Sequence, residues 1–191
     1  GGGTRYVLPD ELATLRAEIE ERLEQEDYIR ERISFDAAYG GERMTAYLFL
    51  PKHGTPPYQT VVMFPGSGAI HTRSSADVAP GRGSFAPKGG RALLLPVYKS
   101  TYERGDGLVS DYPDTSNNWK DHILMWGKDF RRSLDYVETR EDLDADRIGD
   151  VPQDVGDTAI DGVAHLGNDA HASRHQPVEG SRAHVHDQGL A

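Results

Sequence analysis

Cysteine is missing from this sequence altogether. That excludes disulfides, thiolate zinc sites and a cysteine nucleophile in one step, while leaving the redox compartment open. Long apolar runs are missing too: none approaches the ~20 residues that a membrane span needs. The opening stretch "GGGTRYVLPDELATLR" has no apolar core of the kind a signal peptide carries. A cytoplasmic location with no membrane partner is therefore the expectation. The same stretch lacks an initiator Met, as a fragment of a longer chain would. Basic residues are in deficit, with 21 Lys and Arg against 31 Asp and Glu, a formal net charge of −10. Such a surface repels phosphate backbones, so nucleic acid is not an expected partner.

Aromatic residues are absent from one end. Two Trp, nine Tyr and five Phe all lie between Tyr6 and Tyr136, and none falls in 150–191. That end also has no Lys but carries His165, His171, His175, His184 and His186. Without large rings it has little to bury against the entropy of ordering. It reads as a disordered tail of different origin, distinct from 1–149.

What remains is patterned. In "LPDELATLRAEIEERLEQE" (8–26), Leu12, Leu15, Ile19 and Leu23 fall on one stripe, which predicts a helix and makes 1–28 an N-terminal helical segment. The acidic run "EIEERLEQED" then reads as that helix's solvated face. "YIRERISFDAAYG" (28–40) and "ERMTAYLFLP" (42–51) alternate in polarity around Gly40-Gly41 and predict an antiparallel hairpin. "TVVMF" (60–64) and "RALLLPVY" (91–98) are apolar on consecutive residues, as strands covered on both faces are. In "SNNWKDHILMWGKDFRRSLDYVETR" (116–140), Trp119, Ile123, Trp126, Phe130, Leu134 and Val137 step by three or four; this predicts a long helix capped by Asn117 or Asn118. "EDLDADRIG" (141–149) leads toward a further buried strand. The fold class expected is α/β.

The buried run 60–64 ends in "FPGSGAIH", a turn of nearly bare backbone. N–H groups at Gly66, Ser67 and Gly68 can receive a developing negative charge, or the turn is simply tight. The G-x-G spacing does not make a dinucleotide site, because His71 stands where the third glycine belongs and no acidic residue closes the next strand. The polar loop 98–119 follows the second buried run. Its Tyr98, Tyr102, Glu103 and Arg104 are candidates for shaping a substrate pocket or packing its wall. Arg73, beside His71 and Ser74, is either a lure for an anionic substrate or a surface charge. Asp106, Asp111 and Asp114 miss the spacing of a calcium loop, and the tail histidines lack an HExxH arrangement, so no metal or other cofactor is expected.

In order, "FDAAYGGERMTAYLFLPK", "PPYQTVVMFPGSGAIHTRSS", "GGRALLLPVYKSTYERGD" and "DHILMWGKDFRRSLDYVETREDLDADRIG" resemble the α/β-hydrolase superfamily. The likeness is to esterase-like domains of the dienelactone-hydrolase or acetyl-xylan-esterase type, found alone or joined to bacterial serine/threonine protein kinases. It covers 29–149 and implies the N-terminal half of that fold. It also implies a small-molecule ester as substrate, a protein kinase as an associated domain, and the turn at Gly66-Ser67-Gly68 as half of an oxyanion hole, with Ser67 acting through its backbone. It implies, too, a central strand beside 60–64. If that strand is missing, 60–64 becomes an unpaired apolar edge open to self-association.

The resemblance stops where the nucleophile should stand. No serine in the chain has glycine at both minus two and plus two, so the G-x-S-x-G elbow is absent. No acid or base of a triad has a matching context either. A chain of this kind is an inactive hydrolase relative or a non-catalytic ligand-binding or accessory module. The change in composition is what a frameshift after codon 149 in a GC-rich gene would give, and that is the hypothesis it motivates. Translation of the encoding DNA in its other two frames tests that: an apolar run and an elbow should appear in one of them.

Overall fold

The computed structural model describes residues 15–151. Among these residues, six strands make one sheet. They are β1 (Glu18–Glu24), β2 (Tyr28–Asp36), β3 (Arg43–Pro51), β4 (Tyr58–Met63), β5 (Ala92–Pro96) and β6 (Leu143–Val151). A four-residue helix α1 (Phe85–Lys88) precedes β5, and the 22-residue α2 (Asn117–Glu138) lies between β5 and β6. The spatial order is β1-β2-β3-β5-β4-β6. The first three strands form an antiparallel meander, and β3 pairs antiparallel with β5. From there β5, β4 and β6 run parallel.

The hairpin of β2 and β3 matches the alternation read from the sequence, and its register runs unbroken from Tyr28↔Pro51 to Asp36↔Arg43. Gly40 and Gly41 both take positive φ, 64° and 61°, a pair of angles that favours residues without a Cβ. In β4 and β5 every second side chain faces the opposite way. Val62, Phe64 and Leu94 join the core beneath α2, together with Trp119, Trp126 and Phe130. Val61, Met63, Leu93 and Leu95 join a second, smaller cluster on the other face. Both faces are thus covered, which is why these runs are apolar at consecutive positions.

Helix α2 extends over the predicted stretch, but its cap differs. Ser116, extended at ψ 153°, accepts the Trp119 N–H on its hydroxyl at 3.0 Å. Asn117 and Asn118 sit inside the helix instead.

Three expectations are corrected. Of the stretch read as helix, residues 18–24 form strand β1, antiparallel to β2. The acids read as a solvated helix face are matched across the strands: Glu21 with Arg30 at 2.9 Å, Glu20 with Arg32 at 2.8 Å, and Arg22 with Glu31. Alternation of charge against a complementary neighbour overrides the helical spacing of Ile19 and Leu23. The second correction concerns β4, which is not an edge. β6 takes the place beside it, in register from Tyr58↔Leu143 to Met63↔Val151. The first two residues of the aromatic-free segment, Asp150 and Val151, complete β6 beside β4, so the boundary read at 149/150 moves; the rest of that segment and its histidines lie outside the described residues.

Candidate functional site

The parallel strands β4, β5 and β6 all point their C-terminal ends the same way, and the loops that follow β4 and β5 converge there. After β4 the chain turns at Gly66, which is extended (φ −68°, ψ 164°), into a single turn of 3-10 helix over Ser67–Ile70. The turn is closed from within. Ala69 N–H donates to Gly66 O at 2.9 Å, His71 N–H to Gly68 O at 3.1 Å, and Thr72 Oγ1 to the same Gly68 carbonyl at 3.0 Å. Among the described residues, no hydrogen bond takes its donor from the N–H of Gly66, Ser67 or Gly68. Ser67 and Gly68 are exposed. Three successive backbone N–H groups at the end of a buried strand thus have no hydrogen-bond acceptor among the described residues.

The loop after β5 is pinned at two points, and its four candidate residues divide between them. Tyr98 lies in the core, its ring stacked on Phe64 at 4.6 Å. Arg104 is buried and donates through Nη1 to Asp129 Oδ2 at 2.7 Å and to Val97 O at 2.8 Å. Its Nη2 donates to the Tyr39 hydroxyl at 2.8 Å. Asp129 also accepts the Lys99 N–H at 2.8 Å and the Tyr39 hydroxyl at 2.9 Å. Burial raises the pKa of Asp129 even against the pull of Arg104, and it raises that of Tyr39 as well. Glu103 accepts both the N–H and the hydroxyl of Ser75, at 2.9 and 2.7 Å. It thereby ties the loop after β5 to the loop after β4. Arg104 and Glu103 hold loops in place, and Tyr102 is the one of the four that reaches a cavity.

That cavity, about 340 Å³, opens on the smaller-cluster face of the sheet. Met63, Leu95 and Val97 form its floor, and Tyr47, Tyr102, Thr72, Ser74 and Asp77 supply its polar atoms. Pro65, at the start of the Gly66–Gly68 turn, lines it too. Tyr102 is itself in the left-handed region (φ 50°), and burial followed by the nearby Glu103 charge raises its pKa, so it presents a neutral phenol.

A serine, an aspartate and a histidine do meet on this loop. Ser100, buried and left-handed (φ 68°), donates its hydroxyl to Asp106 Oδ1. His122 Nε2 lies 2.9 Å from Asp106 Oδ2, and its Nδ1 lies 2.6 Å from Asn118 O. The order is wrong for nucleophilic catalysis, which needs the imidazole between hydroxyl and carboxylate. Here the carboxylate is in the middle and the serine has no base. Burial opposes the Asp106 charge, yet bonds from Ser100, the Leu108 N–H and His122 bring its pKa below the usual carboxylate value. The group is a clasp between the loop and α2. The spacing of Asp106 in the sequence suggests at most a loose calcium-loop pattern, and its role as a clasp is set by partners the fold brings near; among the described residues no set of three or more His, Asp or Glu side chains gathers to hold a metal. Arg73, exposed, passes near Gly105 and is not among the residues lining the cavity.

No protein-family model matches this chain, and no curated protein does. Solved structures do match. An acetyl xylan esterase from Thermoanaerobacterium sp. JW/SL YS485 superposes with a TM-score of 0.60 at 16% identity, covering 86% of this chain and 52% of that one. A glucuronoyl esterase from Solibacter usitatus gives 0.57 at 14% identity, covering 89% of this chain and 52% of that one. A cold-adapted esterase from an Arctic intertidal metagenomic library gives 0.53 at 12%, with coverages of 81% and 61%. The fold is a partial α/β-hydrolase fold. The chain spans about half the length of the first two of these esterases. Among the described residues no helix is long and apolar enough to cross a membrane.

Proposed function

We propose that this chain is an esterase-type α/β-hydrolase scaffold that retains a cradle for an ester carbonyl at Gly66–Gly68 but lacks the nucleophile to attack it. The register of β6 against β4 carries this reading. Val151 stands beside Met63 in parallel, so the chain leaves β6 at the sheet end where the Gly66–Gly68 turn stands. A hydroxyl presented there would face the cradle, as G-x-S-x-G elbows do. The sequence runs on as Pro152-Gln153-Asp154-Val155, and its next serine is Ser173. Lacking a serine at the elbow position, the chain binds esters and does not cleave them.

The cavity beside the turn favours a second reading, a non-catalytic ligand-binding or accessory module of the kind joined to protein kinases. One assay separates the two. A small aryl ester and a fluorophosphonate probe are offered to this chain and to a version carrying a family-like strand and elbow after Gly149. Turnover and labelling in the restored chain alone support the hydrolase scaffold. Ligand binding with no turnover in either supports the accessory module. Labelling of the present chain at any serine overturns the claim that it has no nucleophile.

A further inference from the structure

We propose that two copies of this chain exchange strand β1, each laying its own against β2 of the other, and that the acidic hinge Glu26-Asp27 holds the exchange in check.

Beyond its backbone ladder, β1 is fastened more by charge than by apolar burial. All seven of its residues are exposed, Ile19 at 52% and Leu23 at 40%. Strand β2, in contrast, keeps two buried charges that depend on β1. Glu31 is fully buried; one oxygen accepts Arg22 and the other accepts Arg140 at 2.7 Å. Arg30, also buried, donates to Glu21 at 2.9 Å. On the exposed margin Glu20 meets Arg32 at 2.8 Å, and just ahead of the strand Arg16 meets Asp36 at 2.6 Å. An apolar strand in this place would leave Arg30 without that carboxylate and Glu31 short of one guanidinium, a costly loss for buried charges. The occupant must carry Glu20, Glu21 and Arg22 in that order. A second copy's β1 does.

Only Gln25, Glu26 and Asp27 join β1 to β2. A hinge this short invites exchange between copies. The pairing steps evenly from Glu21↔Arg32 to Glu24↔Ile29, and the Gln25 N–H donates to Tyr28 O at 2.9 Å. Straightening of the hinge continues this register across a two-fold axis. Gln25 of one copy then faces Tyr28 of the other, and Glu26 faces Asp27 on both sides of the axis. Like charges directly opposite one another are destabilising. Lys88, 3.6 Å from Asp27, and Lys52, 3.4 Å from Glu24, offset part of that charge, and the exposed Glu26 adds to it. The β1–β2 ion pairs are the same in both forms and cancel, so the hinge acids set the balance. Exchange replaces β1 and adds no strand beyond it.

The chain has no cysteine, so a single introduced cysteine reports exchange without background. The bond between Gln25 and Tyr28 makes Glu24 and Ile29 the neighbouring pair without hydrogen bonds, where side chains come closest. Glu24→Cys and Ile29→Cys are each made in a chain carrying Glu26→Gln and Asp27→Asn. The two proteins are mixed at millimolar concentration, incubated, diluted and oxidised. Peptide mapping should find a disulfide between positions 24 and 29, in excess of the 24–24 and 29–29 disulfides that collision gives. Light scattering on the cysteine-free chain reads the dimer directly. Glu26→Gln with Asp27→Asn should tighten it by about 3- to 30-fold. Added salt should tighten the parent dimer more than the neutralised one. Glycines inserted between Glu26 and Asp27 let β1 fold back on its own chain and should abolish the dimer. Absence of an excess of the mixed disulfide would overturn the proposal. So would a dimer that survives the glycine insertion, or one indifferent to the neutralised hinge.

Discussion

Arg104, on the loop after β5, and Asp129, midway along α2, meet at 2.7 Å with both side chains shut away from water. The contact joins residues 25 apart in sequence and fixes the loop's position over the helix. Removal of one partner strands the other charge in the interior. Asp129→Ala should cost about 3–5 kcal/mol in urea unfolding. The double variant Arg104→Met, Asp129→Leu should cost clearly less, since it buries no lone charge. Equal losses in the two would mean that the pair is not electrostatically coupled.

The clasp at Asp106 predicts a pH signature. Its folded pKa is lowered, so its contribution is complete above the unfolded value of about 3.9 and is lost as pH falls through the lower folded value. Asp106→Asn should therefore be less stable than the parent at pH 6, by about 1–2 kcal/mol. That gap should close below about pH 4. Denaturant midpoints of the two proteins compared from pH 6 to pH 2 give the answer; a gap that stays constant to pH 2 would remove Asp106 from the account.

The Gly66–Gly68 turn can be tested without disturbing the fold. Ser67 is the first residue of its short helix and follows an extended Gly66, a setting that accepts proline. Ser67→Pro deletes one N–H and should change stability by less than about 0.5 kcal/mol. In the chain restored with an elbow, the same change should lower turnover by about 10²–10³-fold if that N–H meets the oxyanion. Undiminished turnover would assign Ser67 N–H no part in the cradle.

Two glycines in the α1 region should respond differently to alanine. A Cβ at Gly83 would sit 2.7 Å from Leu93 Cδ2 and 2.8 Å from Met63 Cε, the ends of side chains that can turn aside. A Cβ at Gly89 would sit 2.8 Å from the Phe85 carbonyl oxygen, which is backbone. Gly83→Ala should cost about 1–2 kcal/mol and Gly89→Ala more than that, within the range of overpacking strain. Thermal melts of the two variants settle the order.

Much of the sheet was legible because its runs have only one sensible burial. Val61 to Phe64 and Leu93 to Leu95 are apolar at every position, and a strand between two covered faces is the structure that accepts this. The stripe of Trp119, Trp126 and Phe130 was equally plain. Strand β1 was not, since Leu15, Ile19 and Leu23 suit a helix by spacing. The decisive information lay in a different segment: Arg30, Glu31 and Arg32 are the complements of Glu21, Arg22 and Glu20, and pairing is invisible to a local period. The site divided in the same way. The turn at Gly66–Gly68 was readable from its composition. The roles of Glu103, Arg104 and Asp106 were not, because each is defined by a partner that only the fold brings near: Ser75, Asp129 and His122.

Strand β1 has a consequence for how this sheet can be enlarged. All seven of its residues are exposed, and four of them are glutamates. Those glutamates are paired with Arg43, Arg32, Arg30 and Lys52, and a margin of charged, ion-paired side chains discourages docking of a further strand. Growth of the sheet by edge pairing is therefore disfavoured on the β1 side.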